Sequence, residues 1–541
     1  MTVPAAIEAR EPPEGTGAPR RILLVFPRYT PSFGTFEYAY PLVGAKAFMP
    51  PQGLLVIAAA LPAHWEKRFI DENLEPASSS DFAWADAVFV SGMHIQRAQM
   101  NDICRRAHMA GRTTALGGPS VSACPHYYPD FDYLHVGEMG DATDQLISRL
   151  GADPRPPPAQ VVLTTRERRE LSDFPLPAYE IAQLPKYFMG SIQFSSGCPY
   201  ECEFCDIPAL YGRNPRLKTP DQVCAELDKL LACGVQEAVY FVDDNFIANR
   251  RAAKELLPAL IGWQKRNGYP FRLACEATLN IAKRPEILQA MREARFETVF
   301  CGIETPDPVA LKAMDKGHNM MVPILDGVAT LNGFGMEVVS GIIIGLDTDG
   351  PGTPEAILEF VEASKIPLLT INLLQALPRS PLWSRLEAEG RLAQDETLES
   401  NVVFKRPYSE VVDGWRWLMA RAYDPDALFS RFEHQASATF PNRLKLPRKV
   451  TLADLKKGVA VISRVLWSCG LKSRYRRRFW RFAWPRIKTG DIETVIGVAI
   501  VAHHLISFAD DATAGRQNAS FYSAKLREPA RATADPAPVA A

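Results

Sequence analysis

The sequence predicts an α/β protein: a small doubly wound domain, then a partial (β/α)6 barrel, then a mainly helical region. Three observations lead there. Apolar runs of strand length alternate with helical stretches from about residue 20 to about residue 390, the pattern of parallel sheets. A proline-rich interval, containing GADPRPPPAQ and DFPLPAY, divides that alternation in two, because proline stiffens the chain and removes donors. Beyond about Gly390 the alternation stops. With 541 residues the chain is too long for a single core.

In order, RILLVF from Arg21 reads as a buried strand by its unbroken apolar character. RFID, AVFVSGM, TALGGPS and DYLHV follow, with the helical stretch QRAQMNDICRRAHMAG before TALGGPS. Residues 20–150 form the first domain on this reading, and 151–185 a linker. SIQFSSG opens a second series that continues through AVYFVDDN, RLACEAT, TVFCGIE, VVSGIIIGLD and LLTINLLQALP, with helices such as TPDQVCAELDKLLACG between them. Six strands place a barrel-like domain at 186–395. Residues 396–510 are expected to be helical, and 1–19 and 511–541 to be disordered tails.

The 61 Lys plus Arg balance 62 Asp plus Glu, a net charge of -1, so no global field recruits nucleic acid. Ten cysteines are too sparse for a disulfide scaffold and suit metal in a reducing cytosol. The first residues lack the apolar core of a signal peptide. VIGVAIVAHHLISFA, from Val495, is interrupted by two histidines and falls short of the ~20 residues of a spanning helix, so no transmembrane helix is expected.

Residues 198–205 read CPYECEFC. Cys198, Cys202 and Cys205 can turn toward one point, because Gly197 and Pro199 favour an irregular path. A closed zinc site needs a fourth ligand, and no Cys or His lies within a few residues. Three thiolates suit a 4Fe-4S cluster with one iron left open, since a fully protein-ligated cluster takes four. A zinc site completed from afar is the alternative.

CPYECEFC, with Phe204 before its last cysteine, resembles the C-x3-C-x2-C signature of the radical S-adenosylmethionine enzymes. The resemblance implies that S-adenosylmethionine chelates the open iron and is cleaved to a 5′-deoxyadenosyl radical. It makes Asp243, Asp244 and Asn245 of YFVDDN, Glu276 of CEAT, Gly302 and Glu304 of CGIET, and Gly345 of GIIIGLD candidates for holding S-adenosylmethionine. Gly345 is expected where a side chain would crowd the adenine. A helix N-cap is the other reading of Asp243 and Asp244. For Glu304 it is a cap or structural ion pair.

A doubly wound domain before such a barrel resembles the cobalamin-binding domain of the cobalamin-dependent radical enzymes, the class B methylases. The candidates there are Ser91, Gly92, His94, Gly117, Gly118, Gly137 and Glu138, at the carboxyl ends of strands where such domains bind ligands. Gly117 and Gly118 would approach the nucleotide tail, with Gly137 and Glu138 closing the other side. No D-x-H-x-x-G motif supplies a cobalt ligand; His94 is the alternative lower ligand, or else a hydrogen-bonded structural residue. The resemblance implies a methyltransferase that consumes two S-adenosylmethionine molecules per turnover, with a flavodoxin or ferredoxin as electron donor.

RYTPSFGTFEYAYPL, AFMPPQGLLVIAA, SGMHIQRAQMNDICRRAH and ACEATLNIAKRPEIL resemble the hopanoid C-2 methylases, which implies ring A of an apolar polycyclic lipid as acceptor. Other lipids and tetrapyrroles are substrates of related enzymes, and a rearrangement or cyclisation without methyl transfer fits the same motifs. A methylthiotransferase would need a further cysteine triad, and the first domain has only Cys104 and Cys124. A cluster-bearing sensor or lipid-binding scaffold is the non-enzymatic alternative. Phe33, Phe36, Tyr38, Tyr40 and Phe48 suit an apolar pocket at the domain junction, or packing. SRYRRRFWRFAWPRIK interleaves seven Arg or Lys with aromatic rings, a pattern that suits an anionic membrane surface as well as a solvated helix face. The expected setting is the cytoplasm, with peripheral contact at the inner membrane and no nucleic acid partner.

Overall fold

The computed structural model describes residues 18–235, 237–393, 398–446 and 452–515. Six strands, β1 (Arg21–Phe26), β2 (Glu66–Asp71), β3 (Ala87–Ser91), β4 (Thr113–Gly117), β5 (Tyr133–Val136) and β6 (Val161–Thr164), form one parallel sheet in the order β2-β1-β3-β4-β5-β6. The order reverses beside β1, the topological switch of a doubly wound sheet. Apolar clusters cover both faces, one around Leu24, Phe89 and Leu146 and the other around Leu23, Val90 and Ile103. Burial on two faces explains why β1 and β3 are continuously apolar rather than alternating.

β6 lies inside the interval expected to be a linker. Its β-branched VVLT run lies at the sheet edge, where only one side is paired, and it is partly exposed. The chain that follows β6 forms short 3-10 turns at Leu171–Asp173, Tyr179–Ile181 and Leu184–Lys186.

A second parallel sheet holds β7 (Gly190–Ile192), β10 (Glu237–Phe241), β11 (Phe271–Glu276), β12 (Phe296–Phe300), β13 (Glu337–Ile344) and β14 (Leu369–Leu373), in the order β14-β13-β12-β11-β10-β7. Each neighbour in space is the next in sequence, the curling pattern of an incomplete barrel. The SIQFSSG stretch, expected as one strand, is broken. β7 stops at Ile192, and β8 (Ser195–Ser196) pairs antiparallel with β9 (Arg216–Leu217).

The helices Tyr408–Ala422, Pro425–Ala438, Leu452–Val465, Arg476–Lys488 and Ile492–Thr513 form the C-terminal region. Ile492–Thr513 overturns the length argument against a spanning helix, since its 22 residues are long and apolar enough by length and composition. Instead it packs inward through Val498, Ala502, Leu505 and Phe508. Its last turn continues past the expected start of the tail, and Tyr38 bonds Asp511 there. The rest of the tails expected at 1–19 and 511–541 lies outside the described residues, Ala18, Pro19, Ala514 and Gly515 excepted.

Of the aromatic residues at 33–48, Phe33, Phe36 and Tyr38 pack against this helix, while Phe48 stacks on Phe36 and Phe188. Phe33 lies 4.4 Å from Phe508, Phe36 stacks on His504 at 4.7 Å, and His504 Nε2 lies 2.9 Å from the Phe33 carbonyl. Phe33, Phe36 and Tyr38 thus pack the first part of the chain against the last.

Candidate active site

Residues 197–215 are an excursion closed at its base by the β8–β9 ladder. Gly197 turns the chain into it with φ 98°, and a Cβ there would stand 2.8 Å from the Gly212 carbonyl, so only glycine fits. Cys198, Cys202 and Cys205 all lie in this loop, Cys202 buried and the other two half-buried. Cys205 N–H donates to the Cys202 carbonyl at 3.0 Å. Arg385 donates to Glu203 Oε1 at 2.5 Å and to Asp347 at 2.7 Å, anchoring the middle of the loop to the end of the barrel.

Burial pushes all three thiols above their ordinary pKa, and the charge of Lys316 works against that at Cys198 and Cys202. The thiols also raise one another: Cys198 acts on Cys202, and both act on Cys205. Among the described residues no three Cys, His, Asp or Glu side chains are already gathered as a closed metal cage. The donor set nonetheless fits a 4Fe-4S cluster: three thiols in mutual electrostatic reach and no fourth Cys or His in the loop.

Asp243 and Asp244, just past β10, fix the entry to this loop. Asp243 accepts from Phe194 N–H at 2.7 Å, Ser195 N–H at 3.0 Å and Ser195 Oγ at 3.1 Å. Asp244 accepts from Gly197 N–H at 2.8 Å. Neither is the helix N-cap: that is Asn249, whose side chain accepts from Ala252 N–H. Burial raises Asp243 to about 7 and Asp244 to about 6. Glu276, ending β11, is raised to about 8, by burial first and then by Asp244. Tyr240 donates to it at 3.4 Å. Carboxyl groups thus crowd the carboxyl ends of adjacent strands, a place that favours an incoming cation. The buried Nδ2 of Asn245 makes no well-formed hydrogen bond and faces the Cys198 thiol, whose charged form it favours.

Glu304 holds an ion pair. Lys316 Nζ lies 2.6 Å from its Oε1, both side chains about 10% exposed or less, and 5.1 Å from the Phe204 ring centroid. Glu304 has φ 67°, a left-handed conformation uncommon away from glycine. Main-chain bonds on both sides hold it, from Glu304 N–H to Gly341 (2.9 Å) and from Ile343 N–H to Glu304 (2.8 Å). A Cβ on Gly302 would fall 2.4 Å from the Glu304 carboxylate, so this glycine makes room for the pair. Gly345 departs from expectation: at φ 95°, its missing Cβ would meet Phe404 at 2.6 Å, a contact within the protein.

The carboxyl ends of the first sheet meet the same loop. Glu138, after β5, accepts from Ser196 Oγ at 3.1 Å, is bonded by Arg216, and pairs with Arg168 at 3.2 Å. It was expected to close one side of the cobalamin site; its carboxylate instead bonds Ser196 and Arg216 at the base of the cysteine loop. Ala123 and Cys124 pack on Leu210 alongside. Gly118 (φ 95°) lies against Ser91, where a Cβ would stand 2.3 Å from Oγ; a Cβ on Gly92 would meet Met100 at 2.9 Å, and one on Gly137 would meet Thr165 at 3.1 Å. These three make room for the protein's own side chains, whereas a Cβ on Gly117 would make only ordinary contact. His94 Nδ1 lies 2.9 Å from Ser120 Oγ, while its Nε2 is buried and without a protein partner. Burial lowers this imidazole to about 4.

Sequence reasoning missed Lys316, Arg216 and the stack of Tyr200 on His318, whose ring centroids are 3.8 Å apart. Lys316 reaches Glu304 across a helix and a turn, a separation that carries no periodic signal.

Residues 192–361 match the Radical SAM superfamily model, and residues 380–518 match a domain of unknown function, DUF4070. The chain is 62% identical to the hopanoid C-2 methylase of Rhodopseudomonas palustris (strain TIE-1), an alignment covering 94% of this chain and 98% of the relative. It is 34% identical to the uncharacterized methyltransferase sll1242 of Synechocystis (strain PCC 6803), over 90% of each chain. In fold it is similar to the radical S-adenosylmethionine methyltransferase TsrM from Kitasatospora setae, solved with cobalamin and a [4Fe-4S] cluster, at TM-score 0.53 and 16% identity, covering 70% of this chain and 80% of that one.

Proposed function

This chain belongs to the family of the hopanoid C-2 methylase, and from that premise we propose that it is a cobalamin-dependent radical S-adenosylmethionine methyltransferase that methylates C-2 of ring A of a hopanoid. The observation that carries the reading is the bond between Glu138 and Ser196, which sets the carboxyl end of the first sheet against the cysteine loop of the second. A methyl carrier on one sheet and a radical source on the other have to face one substrate, and this contact makes the two ends face each other.

When bound, the cluster and S-adenosylmethionine supply a radical able to take hydrogen from an unactivated carbon, and the cobalamin supplies the methyl group. Cys198, Cys202 and Cys205 would hold the cluster. Asp243 and Asp244 keep the loop entry rigid, and Lys316 offsets thiolate charge while paired to Glu304. Glu276 and the buried amide of Asn245 would orient S-adenosylmethionine, with Phe204 alongside; Gly302, Glu304 and Gly345 shape the protein around it. The cobalamin would lie at the carboxyl ends of β3 and β4, over Ser91 and Gly117, with the unpartnered Nε2 of His94 beside it. We assign the first domain to residues 20–165, so that it includes β6.

An apolar acceptor suits the rim. Met320, Met321 and Leu325 are each more than 40% exposed, on the segment that carries His318 against Tyr200 of the cysteine loop. We further propose a flavodoxin or ferredoxin as electron donor and a cytoplasmic setting at the inner membrane.

The test is expression in a host that makes only unmethylated hopanoids. The lipid extract is expected to gain a hopanoid heavier by one methylene and bearing the methyl on ring A, and a Cys202→Ala variant is expected to give none. An unchanged extract from the wild type would reject the hopanoid assignment.

A further inference from the structure

The C-terminal helices carry a face that the catalytic reading does not use. From 452 to 490 the chain holds eleven Lys or Arg and one acidic residue, Asp454. Several of the cations are engaged within the protein, among them Arg474 with Asp510, Arg478 with Asp426 and Glu433, and Arg486 over the Phe482 ring. Arg476, Arg477 and Arg481 point outward, and no ion pair is formed by them among the described residues.

Large apolar side chains stand exposed among these charges. Val459 is 56% exposed, Trp467 55%, Leu471 60% and Trp484 54%. Their spacing is helical. Val459, Ser463, Trp467 and Leu471 recur every four residues on the outer side, while Val461, Val465 and Cys469 are buried. On the next helix Arg477, Arg481, Trp484 and Lys488 share the outer side, opposite Phe479, Phe482 and Ala483. Trp480 Nε1 donates to the Gly470 carbonyl at 3.0 Å, which pins the two helices together. Lys472 lies over Trp467 at 4.9 Å and Lys488 over Trp484 at 5.4 Å, so each exposed indole has a cation beside it.

We propose that this face, in the domain of unknown function, docks the enzyme onto an anionic phospholipid bilayer, with Trp467, Leu471 and Trp484 entering the headgroup level and the arginines meeting lipid phosphates. Indoles favour the headgroup region, and each nearby cation adds attraction to an anionic leaflet. Charge complementarity selects this occupant: a polar protein partner gives no reason to expose two indoles, and the overall charge of -1 does not favour nucleic acid. The inference deepens the proposed function, since a bilayer is where an apolar polycyclic acceptor dissolves.

The test is flotation of the full-length protein with vesicles of phosphatidylcholine alone or mixed with phosphatidylglycerol, with no methylation measured. The wild type is expected to float with the anionic vesicles and to be released by high salt. Arg476→Glu/Arg477→Glu/Arg481→Glu is expected to weaken partitioning at least ~10-fold, and Trp467→Ser/Trp484→Ser to weaken it while leaving circular dichroism unchanged. Met109→Ser, an exposed apolar change on the first domain, is expected to bind as wild type. The inference is overturned if wild type ignores anionic vesicles, if the charge reversals bind equally well, or if RNA is bound and vesicles are not. Methylation of detergent-dispersed hopanoid is scored separately. Activity without vesicle binding rejects the docking face alone, and vesicle binding without any methylated hopanoid rejects the functional reading alone.

Discussion

Ser196 Oγ donates to Glu138 Oε1 at 3.1 Å, and through this bond the carboxyl end of the first sheet touches the base of the cysteine loop. The same carboxylate holds Arg216 and Arg168, so it is a fixed joint between the two halves of the site.

Glu138→Gln should therefore loosen the alignment of the halves without dismantling either. Formation of 5′-deoxyadenosine is expected to persist, while methyl transfer falls on the order of 10- to 100-fold, the scale on which misplacement of reacting groups costs rate. Measuring both products in one reaction checks it. Parallel losses would mean that Glu138 only supports the loop.

The Lys316–Glu304 pair is buried at 2.6 Å. Lys316→Met leaves a carboxylate without its partner and should cost about 3–5 kcal/mol. Adding Glu304→Gln should recover most of that loss. Denaturant titration of the four proteins in the double-mutant cycle measures it, and additive effects would contradict the coupling.

Gly345→Ala places a methyl where Phe404 stands 2.6 Å away, in a backbone conformation that suits glycine. A destabilisation of about 1–3 kcal/mol is expected. In a Phe404→Ala background the same change should cost less, as thermal melts of both pairs would show.

Glu276 is raised from its ordinary 4.5 to about 8. The folded state therefore binds this proton more tightly than the unfolded chain does, and stability is lost as pH rises from about 4.5 to about 8. Asp243 and Asp244 act in the same direction at about 7 and about 6. In the cofactor-free protein Glu276→Gln should flatten the upper part of that decline, measured as stability against pH. A wild type that gains stability across this range would show that Glu276 is ionised in the fold.

Much of this architecture was legible in the sequence, because buried parallel strands are apolar throughout and helices carry their own period. RILLVF and AVFVS form strands β1 and β3 as expected. The cysteine triplet stood out because three thiols fall within eight residues, and the fold keeps all three in one loop. What escaped was long-range pairing. Lys316 finds Glu304 across a helix, Arg216 finds Glu138 across two sheets, and β6 hides in a proline-rich stretch because an edge strand needs only one partner. Gly118 and Gly345 were read as making room for ligands, but they make room for Ser91 and Phe404. A sequence shows that a glycine is required without showing what approaches it.

The central claim is tested most directly by one anaerobic reaction. The protein is reconstituted with iron, sulfide and cobalamin, then supplied with reductant, S-adenosylmethionine and an unmethylated hopanoid. Comparable amounts of 5′-deoxyadenosine, S-adenosylhomocysteine and ring-A-methylated hopanoid are expected, and none of the first and third from Cys202→Ala. Deoxyadenosine formed without any methylated hopanoid would contradict the account.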